Sequence, residues 1–147
     1  MRDEETIRAL ERIAVRSGTI TTRAHAEVHP EMRALTLVQY RVLALVASAP
    51  EGLRVGELAR RSSTRQQAVG RIVRRLEAKG LVRSERGAQA DLRVVVVRLT
   101  DLGQRTWDEI SQRRRELLEA ALEGADLPPQ TRQALESIAA AIERFTA

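Results

Sequence analysis

Residues 64–80 read TRQQAVGRIVRRLEAKG. Val69, Ile72, Val73 and Leu76 fall at i, i+3, i+4 and i+7, the spacing of one apolar stripe on a helix. Opposite that stripe lie Gln67, Arg71 and Arg74, with Arg75 at their margin. Thr64 and Gln67 stand at capping-box spacing, which predicts a helix start near Arg65. Gly80 follows Lys79 and predicts the stop. Gly70 leaves a gap in the side-chain cover, so this face can approach another surface closely. The segment holds Arg65, Arg71, Arg74, Arg75 and Lys79 against a single acid, Glu77. These residue types suit duplex DNA. Arginine forks onto guanine O6 and N7, and glutamine bonds adenine N6 and N7. Both basic types take phosphates, and a helix N-terminus offers free N–H groups to one more.

The flanking sequence supplies a setting. VGELARR (55–61) reads as a short helix, SST (62–64) as a turn, and the basic helix follows, which together make a helix-turn-helix. LVRSER (81–86) and LRVVVVRLT (92–100) read as two strands around the polar tip GAQA (87–90). That hairpin, with Arg83, Arg86 and Arg93 about its tip, is a basic wing suited to a minor groove. Val94–Val97 reads as a buried strand.

Beyond this unit, residues 3–28 predict a first helix ended by His29-Pro30. Residues 36–48 predict a second, with Val38, Val42, Leu45 and Val46 inward, and SAPEG (48–52) a turn. Thr100-Asp101 caps a long fifth helix to about Glu123, and a last helix carries Leu135, Ile138, Ala139 and Ile142 on one side. The fold class expected is mainly α (α+β): a winged helix-turn-helix with a two-stranded wing, flanked by terminal helices. The divisions are 1–34, 35–100 and 101–147. One helix-turn-helix reads too few base pairs to discriminate among genomic sites. The apolar terminal helices (1–34 and 101–147) are therefore expected to form a dimerisation domain.

Composition agrees. The 147 residues are 43% apolar and 31% charged, enough for a core, which must be aliphatic because aromatics are 2%. Net charge is +5, but residues 54–98 carry 12 basic and four acidic groups, leaving the remainder acidic by three. A basic middle in an acidic frame is the footprint of a polyanion binder. Without cysteine there are no disulfides, thiolate metal sites or thiol nucleophiles. No apolar run predicts a signal peptide or membrane span, so a cytoplasmic protein is expected. No triad or Gly-rich phosphate loop points to an enzyme.

The pieces LTLVQYRVL (35–43), GELA (56–59), RLEAKGLV (75–82), DLR (91–93) and LTDLG (99–103) resemble the MarR family of winged-helix transcriptional regulators. The resemblance implies a homodimer on palindromic double-stranded DNA. It assigns Arg65, Gln66, Gln67, Ala68, Gly70 and Arg71 to the recognition helix, Arg93 to the wing and Asp91 to its support. It departs at Ser62-Ser63-Thr64-Arg65, where members often carry Leu-Gly-Leu-Ser, and at Gln67 and Gly70, where Pro and Thr are common. Those departures bear on the operator sequence, not on the fold.

The resemblance also implies a cleft for a small aromatic or anionic effector between the dimer helices and the winged helix. Tyr40 and Trp107 are candidates for it, with Arg41 or His25 to pair an anion; core packing is the first reading for the two aromatics. His25 and His29 share a helix face, but a metal site needs three or four ligands and Glu27 is off that face, so no metal or cofactor is expected. Arg113–Arg115 read as a solvated face. A winged helix used only for protein or RNA contacts is the alternative from another class.

Overall fold

Thr36 opens the second helix with a complete capping box: its hydroxyl accepts the Gln39 N–H, and the Gln39 side chain accepts the Thr36 N–H. The computed structural model describes residues 4–32, 35–86 and 95–146. In chain order the elements are α1 (Glu4–Val28), α2 (Leu37–Ala47), β1 (Leu53–Arg54), α3 (Val55–Arg61), α4 (Gln66–Ala78), β2 (Val82–Arg86), β3 (Val95–Leu99), α5 (Asp101–Leu122) and α6 (Thr131–Thr146).

The α4 stripe packs as its spacing predicts, with Val69, Ile72, Val73 and Leu76 all buried. They meet Val42, Leu43 and Val46 of α2, Leu58 of α3, and Leu81, Val82 and Val97 of the sheet. Burying a side chain such as Leu43, Leu58 or Leu76 contributes about 1.5–3 kcal/mol. On α2 the inward face is rotated from the expected one. Gln39 and Leu43 are buried, while Val38 is exposed and Leu45 only half-buried, because the capping box draws Gln39 back against the helix start.

The sheet has three strands in the order β1-β3-β2, one more than the two-stranded wing expected. Leu53 pairs with Val97 and Arg54 with Val96, which makes β3 central and leaves β2 at an edge. Two residues are too few to show alternation, and β1 exists because β3 offers a free edge beside it. In the valine row, Val97 alone is fully buried, while Val95 and Val96 are half-buried and Val94 lies outside the described residues.

The start of α4 also differs. Arg65, not Thr64, is the N-cap residue, and no side chain caps this helix. The Thr64 hydroxyl donates instead to the Ser62 carbonyl at 3.0 Å, and its N–H to Ala59. Thr64 is thereby spent on the turn. Ser63 beside it takes φ +50°, a conformation that costs a residue with a Cβ about 1–2 kcal/mol.

Helix α1 lies mainly along α5, with Ala24 and Thr21 buried on one and Ile110 and Thr106 on the other. An ion pair from Arg113 to Glu27 at 2.6 Å closes that seam. Helix α6 buries no residue. No helix among the described residues is long and apolar enough to cross a membrane.

Candidate nucleic-acid interface

The apolar stripe fixes which side of α4 faces out. With Ile72 and Leu76 anchored in the core, Gln66, Gln67, Arg71, Arg74 and Arg75 are exposed together, and Arg65 is exposed at the N-cap. Among the described residues none of these four arginines has an ion-pair partner. A Cβ at Gly70 would lie 3.8 Å from the Arg74 guanidinium, so Arg74 folds back over the glycine and the gap there is narrow. Because no side chain caps α4, its first N–H groups stay available to an outside acceptor.

The arginines just before this helix are differently placed. Arg60 and Arg61 both bond the carboxylate of Glu57, at 2.9 and 2.5 Å, and their hydrogen bonds push that carboxyl down to about 2. The positive charge of α3 is thus partly neutralised within its own turn, whereas that of α4 is not. Arg86 is exposed at the distal end of β2. Arg93 and Asp91, expected at the wing and its support, lie outside the described residues.

Sequence reasoning missed one contact here. The Ser84 N–H donates to Glu77 Oε1 at 2.8 Å, so the one acid of α4 reaches the first wing strand. At the base of the sheet, Glu85 bridges Arg83 at 2.7 Å and Arg98 at 3.3 Å, which are direct cross-strand partners. The cavity of about 290 Å³ beside them, floored by Val46, Ala49 and Pro50, therefore has arginines that are already compensated.

The effector candidates divide. Tyr40 and Trp107 meet with ring centroids 5.4 Å apart, and the Arg114 guanidinium lies over both at 5.7 and 5.8 Å. Arg114 also donates to the Tyr40 hydroxyl. This corrects the reading of residues 113–115 as a solvated face: Arg113 closes the α1–α5 seam, Arg114 stacks on the aromatic pair, and only Arg115 is fully exposed. Three consecutive residues of a helix point in different directions, and an arginine stem can lie along apolar surface while its head stays polar. Arg41 donates to the Ser62 carbonyl of the turn at 3.4 Å, bracing α2 against the helix-turn-helix.

His25 is buried, and its Nδ1 accepts the Leu35 N–H at 3.2 Å, across the joint between α1 and α2. It is a structural histidine of that joint. His29 packs edge-on against it and sits 2.8 Å from Glu109. Among the described residues no group of three or more metal-binding side chains assembles. Burial lowers the His25 pKa below its ordinary 6.5; His29 and Lys79 lower it further and Glu31 opposes them. Folding therefore favours the neutral ring, and the unfolded chain takes up this proton first as pH falls. Stability should drop as pH is lowered through 6.5, before the carboxylates of Glu27, Glu31 and Glu116 begin to titrate. Asparagine at 25 keeps an acceptor near Nδ1 without a titrating proton. Urea midpoints at pH 7.5 and 5.5 should differ less for His25→Asn than for the wild type, and an equal difference would remove His25 as the cause.

Residues 35–93 match the model of the MarR family. No curated protein matches the sequence. Among solved structures, a MarR-family transcriptional regulator from Rhodococcus sp. RHA1 superposes with a TM-score of 0.70 at 22% identity, over 95% of each chain. MOSR of Mycobacterium tuberculosis, in complex with DNA, has a TM-score of 0.60 at 22% identity, over 95% of this chain and 96% of its own. NadR in complex with 4-hydroxyphenylacetate has a TM-score of 0.66 at 23% identity, over 97% of this chain and 92% of its own. At these identities the likeness is one of fold. Over residues 35–93 this chain is similar to the MarR family, and over nearly its whole length it shares the fold of these solved structures.

Proposed function

We propose that this chain is a sequence-specific double-stranded DNA-binding transcriptional regulator. It works as a homodimer on a palindromic operator, as a repressor released by a small-molecule effector. The observation that carries this reading is the exposed face of α4, whose arginines have no ion pair among the described residues. Gln67, Arg71 and Arg74 meet bases and phosphates of the major groove, with Arg65, Gln66 and Gly70 at the closest approach and Arg75 at the margin. Arg86 and Arg93 serve the wing, and Asp91 supports it. A similarly folded protein, MOSR, binds DNA, which supports this use of the fold.

The dimer is supported by what one chain leaves uncovered. Leu135, Ile142 and Phe145 of α6 are exposed, Phe145 at 92%, as are Leu118 and Leu122 of α5 and Ile7, Ile13 and Val15 of α1. An apolar surface of this kind calls for a partner. Residues 1–34 and 101–147 of two chains supply it to each other, and set the two α4 helices one DNA turn apart, about 34 Å. The effector reading rests on the Tyr40–Trp107 pair under Arg114, which suits an aromatic ring bearing an anion; NadR, of similar fold, binds 4-hydroxyphenylacetate. His25 acts there only through the α1–α2 joint.

The test is fluorescence anisotropy of the protein against DNA from upstream of its own coding sequence and a scrambled duplex, across a salt series. Sedimentation at the same concentrations gives its oligomeric state. A dimer that prefers the native duplex, with a salt slope near −0.9 per phosphate contacted, supports the reading. Equal binding to both makes it a non-specific binder. Binding to neither, nor to a genomic library, overturns it in favour of a protein or RNA partner.

A further inference from the structure

We propose that Glu77 is a positioning residue for the wing: by accepting the Ser84 N–H it sets where the wing stands relative to the recognition helix, and so where it meets DNA. The proposal rests on the DNA-binding reading above. Strand β2 is an edge strand, bonded to β3 on one side only. Within it Val82 is buried, but Arg83, Ser84, Glu85 and Arg86 are all exposed. No apolar side chain therefore seats the distal part of the strand on α4. The Glu85–Arg98 bridge ties β2 to β3 and the Glu85–Arg83 bridge lies within β2, so neither holds the hairpin to the helix.

At the near end the chain is fixed by the Leu81 N–H bonding the Leu76 carbonyl at 3.0 Å and by the burial of Leu81 and Val82. Past that point the bond from Ser84 to Glu77 at 2.8 Å is the hydrogen bond that ties the described part of the strand to α4. Remove it, and the hairpin is held only at Leu81–Val82 and through β3, by the buried Val97 and its pairing with β1, so the strand end beyond Ser84 can shift relative to α4. The Ser84 N–H points away from β3, as an edge position facing its own open side does, and a charged acceptor makes this bond roughly twice as strong as a neutral one.

Charge makes the case testable by sign. Glu77 is the single acid in the basic stretch 64–80. A carboxylate beside a phosphate-binding face repels DNA, so if Glu77 does nothing else, neutralising it tightens binding whatever replaces it. If it positions the wing, the shape of the replacement matters. Glutamine keeps an oxygen that accepts the Ser84 N–H, and alanine does not.

The experiment compares wild type, E77A, E77Q and S84P in the same salt-series anisotropy assay on the upstream duplex, with thermal midpoints to confirm folding. S84P deletes the donor and leaves the charge, at an outward-facing edge position that tolerates proline. E77A and S84P should each weaken binding about tenfold, the loss of roughly one charge-assisted bond per dimer reaching the complex. Their salt slope should shrink by about 1.8, as each of two subunits gives up one phosphate at its wing. E77Q should stay within about threefold of wild type, as expected where the bond survives. Hydrogen exchange on the free protein should be faster at Ser84 in E77A and not in E77Q. Equal tightening in E77A and E77Q, or an E77A variant that binds and exchanges like wild type, overturns the proposal while the DNA-binding reading stands. A wild type that binds no duplex overturns both.

Discussion

Arg71→Ala should lower the affinity for the operator about a hundredfold and leave the fold intact. Arg71 is exposed on the outer face of α4 and has no ion pair among the described residues, so alanine removes no internal contact and stability should move by less than about 0.5 kcal/mol. A bidentate arginine contact to a base is worth about 1–3 kcal/mol, and a dimer forgoes it twice, so a loss of about 3 kcal/mol in all, or two decades, is expected. The same assay distinguishes a base from a phosphate as the partner of Arg71. If Arg71 reads a base, the native duplex loses affinity while the scrambled duplex keeps its own, and the salt slope holds. If Arg71 clamps a phosphate, both duplexes weaken alike and the slope shrinks by about 0.9 per contact. Arg60 is the matched control, because its guanidinium is bound to Glu57 and faces a neutralised turn. An Arg71→Ala protein that binds both duplexes as wild type does would remove α4 from the interface.

What the sequence reveals depends on whether a signal is periodic. Val69, Ile72, Val73 and Leu76 repeat at helical spacing, so the buried face of α4 and, by subtraction, its outer face are legible in the sequence alone. The capping signal is weaker because it is local. Thr36-x-x-Gln39 and Thr64-x-x-Gln67 have the same spacing; the first makes a capping box, and the second does not because the turn claims Thr64. Strand β1 is invisible for a different reason, since Leu53–Arg54 is a strand only through Val96 and Val97 far along the chain. Contacts between distant segments follow the same rule. Arg114 over Tyr40 and Trp107, and Glu77 on Ser84, depend on how elements dock, which no local pattern encodes.

Gly103→Ala should destabilise the fold by about 3 kcal/mol, the upper range of an overpacked core site, although alanine is the better helix former. Gly103 sits in the first turn of α5, where the helix passes directly over Leu81. A Cβ there would lie 2.8 Å from the Leu81 carbonyl carbon and closer still to its oxygen. Backbone cannot rotate aside as a side chain can, so α5 or the start of the wing must move. Either shift strains the bonds that seat this helix: the Thr100 N–H to the Leu81 carbonyl at 3.1 Å, and the Gly103 N–H to the Thr100 hydroxyl at 2.9 Å. Losing that cap alone costs about 1 kcal/mol. The buried Thr106 and Ile110 one and two turns on would lose their packing with it. At about 2–4 °C per kcal/mol for a chain of this size, the thermal midpoint should fall by about 10 °C. Gly56→Ala supplies the opposite sign. Gly56 lies in α3 with nothing within 4 Å of an added Cβ, so only the helix preference acts and the midpoint should hold or rise. If both substitutions shifted the midpoint alike, the close approach of α5 to Leu81 would not be what holds this joint. If they diverge, the helix that leads out of the winged helix is locked to the base of the wing by a contact that only glycine permits. A displacement of the helix-turn-helix and wing then has to carry α5 with it.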